Sequence, residues 1–182
     1  MAHNLATLFG QAAEETNGTG HMMAWTGDTP WHGLGTKVDG LMTTHEALHK
    51  AGLNWTVEKR PLTYMHNDEL QVVPETYAVV REDGVPLTRN GKAVGRVFTC
   101  LQNVDSLSFM DELLQSHEAA IEVAGALGNG EQVWVLARLP DVFTVGGGDE
   151  MHAYVLISNS HDGTGSVKFL LTPIRVVCWN TL

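Results

Sequence analysis

The feature that most constrains the fold is a change of hydrophobic period at Gly52. Before it, Thr43 and Glu46 have the Thr-x-x-Glu spacing of a capping box, which predicts the start of a short helix, and Gly52 stands where a glycine commonly ends one. After it, Trp55, Val57 and Lys59 alternate with Thr56, Glu58 and Arg60, and an extended run continues from Pro61 to Met65. A period of two indicates a β-strand, so a helix is followed directly by the first strand of a sheet.

Two further strand patterns follow, Gln71 to Arg81 and Ala93 to Leu101. Three pairs of residues typical of turns lie between these strands: Asn67-Asp68, Asp83-Gly84 and Asn90-Gly91. Three strands joined by short turns predict an antiparallel meander.

The second half of the chain predicts one helix and two more hairpins. Apolar residues at helical spacing from Val104 to Leu114, with Asn103 or Asp105 as the cap, indicate a helix of about eleven residues. The four strands expected after it are, in pairs, Ala119–Leu127 with Gln132–Arg138 around GNG, and Tyr154–Ser158 with Val167–Val177 around SHDGTG. The string FTVGGGDE between the pairs has the composition of a flexible linker.

These elements predict an α+β fold, an antiparallel β-meander with a helix packed across it, followed by further β-hairpins. There is no βαβ alternation and no internal repeat. Residues 1–40 are interpreted as an N-terminal region in which residues 1–20 form a short helix or an ordered arm, followed by the Trp- and Gly-rich extended segment AWTGDTPWHGLGTKV. Residues 41–182 are predicted to form a single α+β domain.

Composition excludes several classes of protein. Hydrophobic residues make up 43% and charged residues 18% of the 182, which is ordinary globular usage. The sequence has no apolar run of the roughly 20 residues that a membrane span needs, and its N-terminus lacks the pattern of a signal peptide, so a cytoplasmic location is expected. The two cysteines, Cys100 and Cys178, cannot form a disulfide framework and are expected to be reduced.

The formal net charge of −10 argues against general binding of polyanions. The charge is unevenly distributed, however, because residues 50–96 hold seven basic and six acidic side chains while the segments on either side are strongly acidic. Any basic surface must therefore come largely from this middle segment.

The sharpest enzymatic pattern is His45-Glu46-Ala47-Leu48-His49, an H-E-x-x-H. On a helix this spacing places two imidazoles on one face to bind zinc, with the glutamate positioned to activate a bound water. The host helix is short, Glu46 has the position of a capping residue, and Trp55 stands where a third histidine would follow in one zinc-protease pattern. We therefore expect no metal and no other cofactor.

Several stretches together resemble one known family: MAHNLAT, TPWHGLGTKV, EALHKAGLNWTVEKRPL, VWVLARLP and LISNSHDGTGSVKFLLTPIRVVCWNTL. They are similar to the phage- and plasmid-like proteins of the domain-of-unknown-function 932 family. Members of that family usually continue well past the N-T-L element, and the family does not require the two histidines of the H-E-x-x-H.

The resemblance implies a protein of mobile elements, and its expected order of elements is similar to the core of the phage single-strand annealing recombinases. In such a fold the meander faces the nucleic acid. The residues that would then contact phosphates are Lys59, Arg60, Arg81, Arg89, Lys92 and Arg96, and those that could stack on a base are Trp55 and Tyr64.

The leading hypothesis is a non-enzymatic DNA-metabolism protein that binds single-stranded DNA and anneals complementary strands as a homo-oligomer. The first alternative is a phage-encoded protein-interaction module, either a modulator of host defence with a host protein partner or a structural accessory. The second alternative is a zinc-dependent hydrolase that uses His45, Glu46 and His49.

Overall fold

The computed structural model describes residues 22–30, 33–88, 91–117, 119–145 and 149–173. Its elements in chain order are β1 (Met23–Trp25), β2 (Thr36–Lys37), α1 (Thr44–Lys50), β3 (Val57–His66), β4 (Glu69–Arg81), β5 (Val94–Gly95), α2 (Asn103–His117), β6 (Ala120–Leu127), β7 (Gln132–Val145), β8 (Asp149–Ser160) and β9 (Lys168–Thr172). The helix expected within residues 1–20 and the part of the last strand beyond Pro173 lie outside the described residues.

The strands form two sheets, which confirms the α+β class. The larger has six strands in the order β2-β1-β6-β7-β8-β9, and the smaller has three in the order β3-β4-β5. All pairings are antiparallel except that of β1 with β2. Strands β1 and β2, from the segment interpreted as an arm, are therefore part of the large sheet.

Two details of the predicted layout differ from the structure. Helix α2 packs against α1 and against β7 and β8 of the large sheet rather than across the three-stranded one. The third strand of the small sheet, expected over residues 93–101, is only the two residues of β5. The helix lies on the large sheet because that sheet offers the wide buried surface that a long helix can cover.

Most of the string FTVGGGDE, which was expected to be a linker, lies in strands β7 and β8. Strands β7 and β8 remain paired out to Val145 and Asp149, so the residues on either side of its three glycines belong to strands; the glycines lie outside the described residues. The register shifts between Arg138 and Val142, which marks an irregularity part-way along the pairing of β7 with β8.

Helix α1 begins and ends as its sequence predicts. The Thr43 hydroxyl accepts from the Glu46 backbone N–H, and the Glu46 carboxylate accepts from the Thr43 N–H at 2.9 Å. At the other end Gly52 has a φ of +66°, its N–H donates to the carbonyl of His49, and the Leu53 N–H donates to that of Leu48. These two bonds are those of a Schellman motif, so the capping prediction is confirmed.

The central strands of the large sheet are buried on both faces. One face packs against the helices and the small sheet through residues such as Ile121, Val135 and Ile157. The other carries a second cluster that includes Trp25, Trp134 and further apolar residues of β6 to β8. Burial on both faces explains why the run VWVLA in β7 is continuously apolar rather than alternating. In the part of the chain that the structure describes, no helix is long and apolar enough to cross a membrane.

Candidate functional site

The hairpin of β3 and β4 is the element of the small sheet that carries most of the predicted nucleic-acid residues. Its turn, Asn67-Asp68, has φ values of +50° and +63°, as a two-residue type I′ turn requires. The register shifts between Pro61 and Thr63, opposite a bulged stretch of β4 in which Glu75 has a φ of +53°. The bulge divides the hairpin into a proximal half next to the core and a distal half, residues 62–76, in which no residue is buried.

Lys59 lies on the core-facing side of the proximal half. Its register partner is the buried Val79, and paired residues of an antiparallel ladder share a face. The Lys59 ammonium donates to the carbonyl of Arg96 at 2.8 Å and lies 5.1 Å from the centroid of the Tyr77 ring. This lysine therefore ties β3 to the segment after β5 instead of pointing away from the sheet.

The side chain of Arg81 is also directed toward the interior of the protein. Its guanidinium donates to the carbonyl of Asn129 at 2.9 Å, pairs with Asp83 at 2.6 Å and lies 4.9 Å from the centroid of the Trp55 ring. Most of this side chain is shielded from solvent. The structure thus gives Arg81 a bracing role between the small sheet and the β6–β7 turn.

Trp55 is a core residue with only 7% of its surface exposed. Its ring meets that of His161 edge-on at 5.4 Å between centroids. On another side it abuts Gly130, where an added Cβ would lie 2.6 Å from the indole. A base cannot reach this ring, so the structure contradicts the prediction of Trp55 as a stacking platform.

The other predicted residues are accessible, except that Arg89 lies outside the described residues. Arg60 pairs with Glu58 at 2.6 Å and Arg96 with Glu75 at 3.5 Å, and all four side chains are more than half exposed. Exposed ion pairs of this kind contribute about 0–1 kcal/mol, so the two arginines can exchange carboxylate for another anion. Lys92, which precedes β5, and Tyr64 are also exposed.

The distal half of the hairpin has two chemically different faces. On one face, which is polar, Tyr64 is paired with Gln71, and 53% of the surface of Tyr64 is exposed. On the opposite face Met65 is paired with Leu70, and Thr63 with Val72. The three apolar side chains of that face are between 59% and 65% exposed, so the distal half presents one aromatic, polar face and one apolar face.

The H-E-x-x-H is a capped helix turn. The Glu46 carboxylate accepts hydrogen bonds from the backbone N–H and the hydroxyl of Thr43, and these bonds, chiefly the one from the backbone, lower the pKa of the carboxyl. The carboxylate is thereby held in its ionised form as part of the helix cap. His45 and His49 are exposed and line a cleft of about 170 Å³ together with the buried Leu53 and Trp55. Among the residues described, no group of three or more His, Cys, Asp or Glu side chains is placed to hold a metal ion.

Sequence reasoning missed a buried polar cluster at the end of β8. His161 is 1% exposed, and its Nε2 lies 2.9 Å from Oδ1 of Asn103, whose amide nitrogen donates to the carbonyl of Leu53 at 2.8 Å. Because the amide nitrogen already faces a carbonyl, Nε2 carries the hydrogen in this contact. Burial lowers the pKa of His161 to about 4, against a smaller opposing effect of Asp162.

Asp162 lies in the turn expected around SHDGTG. Its carboxylate accepts from the backbone N–H of Thr164 at 2.9 Å and from the hydroxyl of the same residue at 2.6 Å. This is the Asx-type bond that such a sequence predicts. The turn holds His161 directed at Asn103, which joins the end of β8 to the first residue of α2.

A second cleft, of about 420 Å³, lies at the end of the large sheet and was also missed. Its lining includes Asp28, Glu122, Arg138, His152 and Tyr154. Glu122 is nearly buried and pairs with Nε of Arg138 at 3.0 Å. The guanidinium charge is therefore balanced within the cleft, and a neighbouring carboxylate makes the site unsuited to a strongly anionic ligand.

The model of the family described as "Domain of unknown function (DUF932)" matches residues 92–182, which is half of the chain. The chain belongs to the DUF932 family. No curated protein and no solved structure matches it, so the similarity to annealing recombinases has no structural support. The matched part of this DUF932 protein contains Asn103, His161 and Asp162, whereas the β3–β4 hairpin precedes it.

Proposed function

We propose that this DUF932 protein binds single-stranded DNA without catalysing a reaction, on the outward side of the small sheet. The observation that carries the proposal is the half-exposed Tyr64 on a hairpin that projects beyond the core. Arg60 has the same parity along β3 and lies outward on the same strand. An accessible aromatic ring beside a cation is the arrangement that stacks a base and contacts its phosphate.

Three exposed cations support this proposal, and the ion pairs that two of them form are exposed to solvent. Arg60 lies on β3 at one edge of the small sheet, while Lys92 and Arg96 flank β5 at the other. Because the ion pairs of the two arginines are exposed, breaking them costs little when a phosphate takes the place of the carboxylate. Three phosphate contacts to a single strand correspond to a salt dependence of about −2 in log K against log salt concentration.

Strand annealing is the activity that we propose for this surface in the recombination of phage or plasmid DNA. Binding through stacking and phosphate contacts is tolerant of sequence and leaves the pairing edges of the bases free. Several subunits side by side would then present an extended strand to its complement. This step needs a homo-oligomer.

The test is a fluorescence polarisation titration of the full chain against a labelled thymidine oligonucleotide at low salt. Tyr64→Ala should weaken binding by about 5-fold or more, since stacking contributes about 1–3 kcal/mol per base, and Tyr64→Phe should retain it. Combined replacement of Arg60, Lys92 and Arg96 by Ala should flatten the salt dependence. Lys59→Ala is the matched control, because that cation faces the core and its loss should leave affinity unchanged.

Two results would contradict the proposal. No change in polarisation with the wild-type chain at low salt would show that the surface does not bind single strands. An equal loss of affinity in Lys59→Ala and in Tyr64→Ala would place any binding elsewhere, since only one of these side chains is directed outward.

A protein-interaction module is the second candidate, favoured by the exposed apolar face of the distal hairpin. A stable complex with a host protein that retains no DNA after nuclease treatment, and that is lost on Met65→Lys, would support it. Nothing in the described residues favours the zinc-dependent hydrolase, because Glu46 is held by its own helix cap.

A further inference from the structure

We propose that the cleft at the end of the large sheet binds a free α-amino acid that has an apolar side chain. The guanidinium of Arg138 binds the carboxylate of this ligand, and the carboxylates of Asp28 and Glu122 bind its ammonium. The described residues that line the cleft come from β6, β7, β8 and the segments after β1 and before α1, and none belongs to the small sheet. The proposal therefore does not depend on DNA binding.

Two irregularities of strand pairing shape the cleft, one on each side of Arg138. Between β6 and β7 the register shifts from Ile121 to Val123, so Glu122 is an extra residue in β6. Between β7 and β8 the register shifts just past Arg138, where Pro140 has no N–H to donate to the ladder. Bulges of this kind re-aim side chains and are over-represented next to functional sites. Both of them fall beside the one arginine that lines the described part of the cleft.

Glu122 fixes the orientation of the Arg138 side chain. Oε1 of Glu122 lies 3.0 Å from Nε of Arg138, and the arginine side chain is 40% exposed. Because the carboxylate takes Nε, the two terminal nitrogens of the guanidinium remain for another acceptor, and they have no ion-pair partner among the described residues. Two parallel N–H donors of a guanidinium match the two oxygens of a carboxylate. A shielded ion pair adds little stability over apolar residues of the same size, so binding is the better explanation of this one.

The charges of the lining select a ligand that carries both signs. The described lining has two carboxylates, those of Asp28 and Glu122, and one guanidinium, that of Arg138. An anion would face the two carboxylates, and a simple cation would lie beside the guanidinium, so part of the lining repels each of them. A zwitterion presents one charge to each group, whereas a neutral nucleobase presents none. An ionised carboxylate has about four lone-pair sites, so Asp28 and Glu122 can accept from an ammonium in addition to the bonds that they already make.

An adjoining cleft of about 290 Å³ offers an apolar surface for the side chain of the ligand. It shares part of its lining with the larger cleft, namely Leu41, Arg138 and His152, and is completed by Ala120, Leu139 and Pro140. Leu41 is 66% exposed, so burial against a ligand would remove apolar surface from water. The larger cleft, of about 420 Å³, has the volume typical of small-molecule sites, which is about 300–1,000 Å³. The two clefts together therefore provide a charged part and an apolar part for one small ligand.

The experiment is equilibrium dialysis of the full chain against radiolabelled L-leucine, which should bind saturably with one molecule per chain. The unlabelled competitors are N-acetyl-L-leucine, L-leucinamide and glycine, which lack the ammonium, the carboxylate and the apolar side chain in turn. Each should compete about 10-fold more weakly than L-leucine or worse, because each loses a charge-assisted hydrogen bond or the burial of the side chain.

Two variants assign these contacts to residues. Arg138→Lys keeps a positive charge beside Glu122 but removes the planar pair of donors, so L-leucine should bind about 10-fold more weakly and lose its advantage over L-leucinamide. Asp28→Asn should reduce the advantage of L-leucine over N-acetyl-L-leucine instead. Asp68→Asn is the matched control, because this exposed residue lies in the β3–β4 turn and asparagine tolerates its φ of +63°. It should bind L-leucine like the wild type, and urea unfolding should show that all three variants are folded.

Four outcomes overturn the proposal. The first is no saturable binding of L-leucine to the wild-type chain at millimolar concentration. The second is equal competition by N-acetyl-L-leucine, which would make a peptide C-terminus the better ligand. The third is full affinity in a folded Arg138→Lys variant, which would place the binding elsewhere. The fourth is displacement of L-leucine by guanosine at equal concentration, which would indicate a nucleobase site. None of these measurements contains DNA, so their failure is distinguishable from failure of the proposed function.

Discussion

The burial of His161 makes the stability of the fold depend on pH below neutrality. Its pKa falls from an ordinary 6.5 to about 4 in the folded chain, with desolvation as the main cause. Between pH 4 and pH 6.5, His161 is therefore protonated in the unfolded chain and neutral in the folded chain. Stability from this group is complete above pH 6.5 and is lost as the pH falls toward 4.

The loss amounts to about 3 kcal/mol, since each unit of pKa shift corresponds to about 1.4 kcal/mol. Against a typical domain stability of about 5–15 kcal/mol, this is a large fraction. Other groups titrate in the same window, including Glu46, whose lowered pKa also favours the folded state at higher pH. The effect of His161 must therefore be isolated by comparison with a variant.

His161→Gln is the suitable variant, because its amide can donate to Asn103 from nearly the same position but cannot titrate. Urea unfolding curves at half-unit steps from pH 7 to pH 4 give the free energy of unfolding of both proteins. The wild-type value should fall about 3 kcal/mol further than that of the variant. Parallel curves for the two proteins would refute the assignment of a neutral, buried imidazole.

Two further predictions concern packing around the same cluster. Asn103→Ala should lower the free energy of unfolding by about 2–5 kcal/mol, because two buried polar partners lose their hydrogen bonds. Gln102→Ala should cost about 1 kcal/mol, because Gln102 is half-buried and water can take the place of its amide at the Val57 backbone; comparable losses in urea unfolding would contradict this. Gly130→Ala should cost about 2–4 kcal/mol, from a φ of +112° and a contact with Trp55, while Gly84→Ala, with a φ of +90° and no atom within 4 Å, should cost only about 1–2 kcal/mol in thermal melts. Equal costs for the two glycines would show that the tryptophan moves aside freely.

Local signals in the sequence were sufficient wherever the cause of a structure is local. The pair Thr43 and Glu46 identifies the start of α1, and Gly52 identifies its end, because a capping box and a left-handed glycine act over a few residues. The pair Asn67-Asp68 identifies the β3–β4 turn for the same reason.

Pairings between distant strands could not be predicted in this way. Strand β1 lies between β2 and β6, and its register places Ala24 opposite Ala124, about one hundred positions away. Nothing in the three residues of β1 specifies that partner. The choice depends on how much apolar surface the assembled sheet buries, which is a property of the whole chain.

The inward side of the small sheet was equally hidden. Alternation in β3 shows that Lys59 and Arg60 point in opposite directions, but not which of them faces the core. A lysine can face inward because its aliphatic part covers apolar surface while its ammonium finds a carbonyl, as that of Arg96 here. Of the residues predicted to contact nucleic acid, Lys59, Arg81 and Trp55 face the interior, whereas Arg60, Tyr64, Lys92 and Arg96 are exposed.

The amide of Gln102 closes one end of the small sheet. It accepts from the backbone N–H of Val57 and donates to the carbonyl of the same residue, both at 2.9 Å. A side chain thus occupies the place that a neighbouring strand would take, and Pro61 removes a further donor from this edge. Any strand that adds to β3 is barred from its first residues and must align with the stretch beyond Pro61, so growth of this sheet is possible only toward the tip of the hairpin.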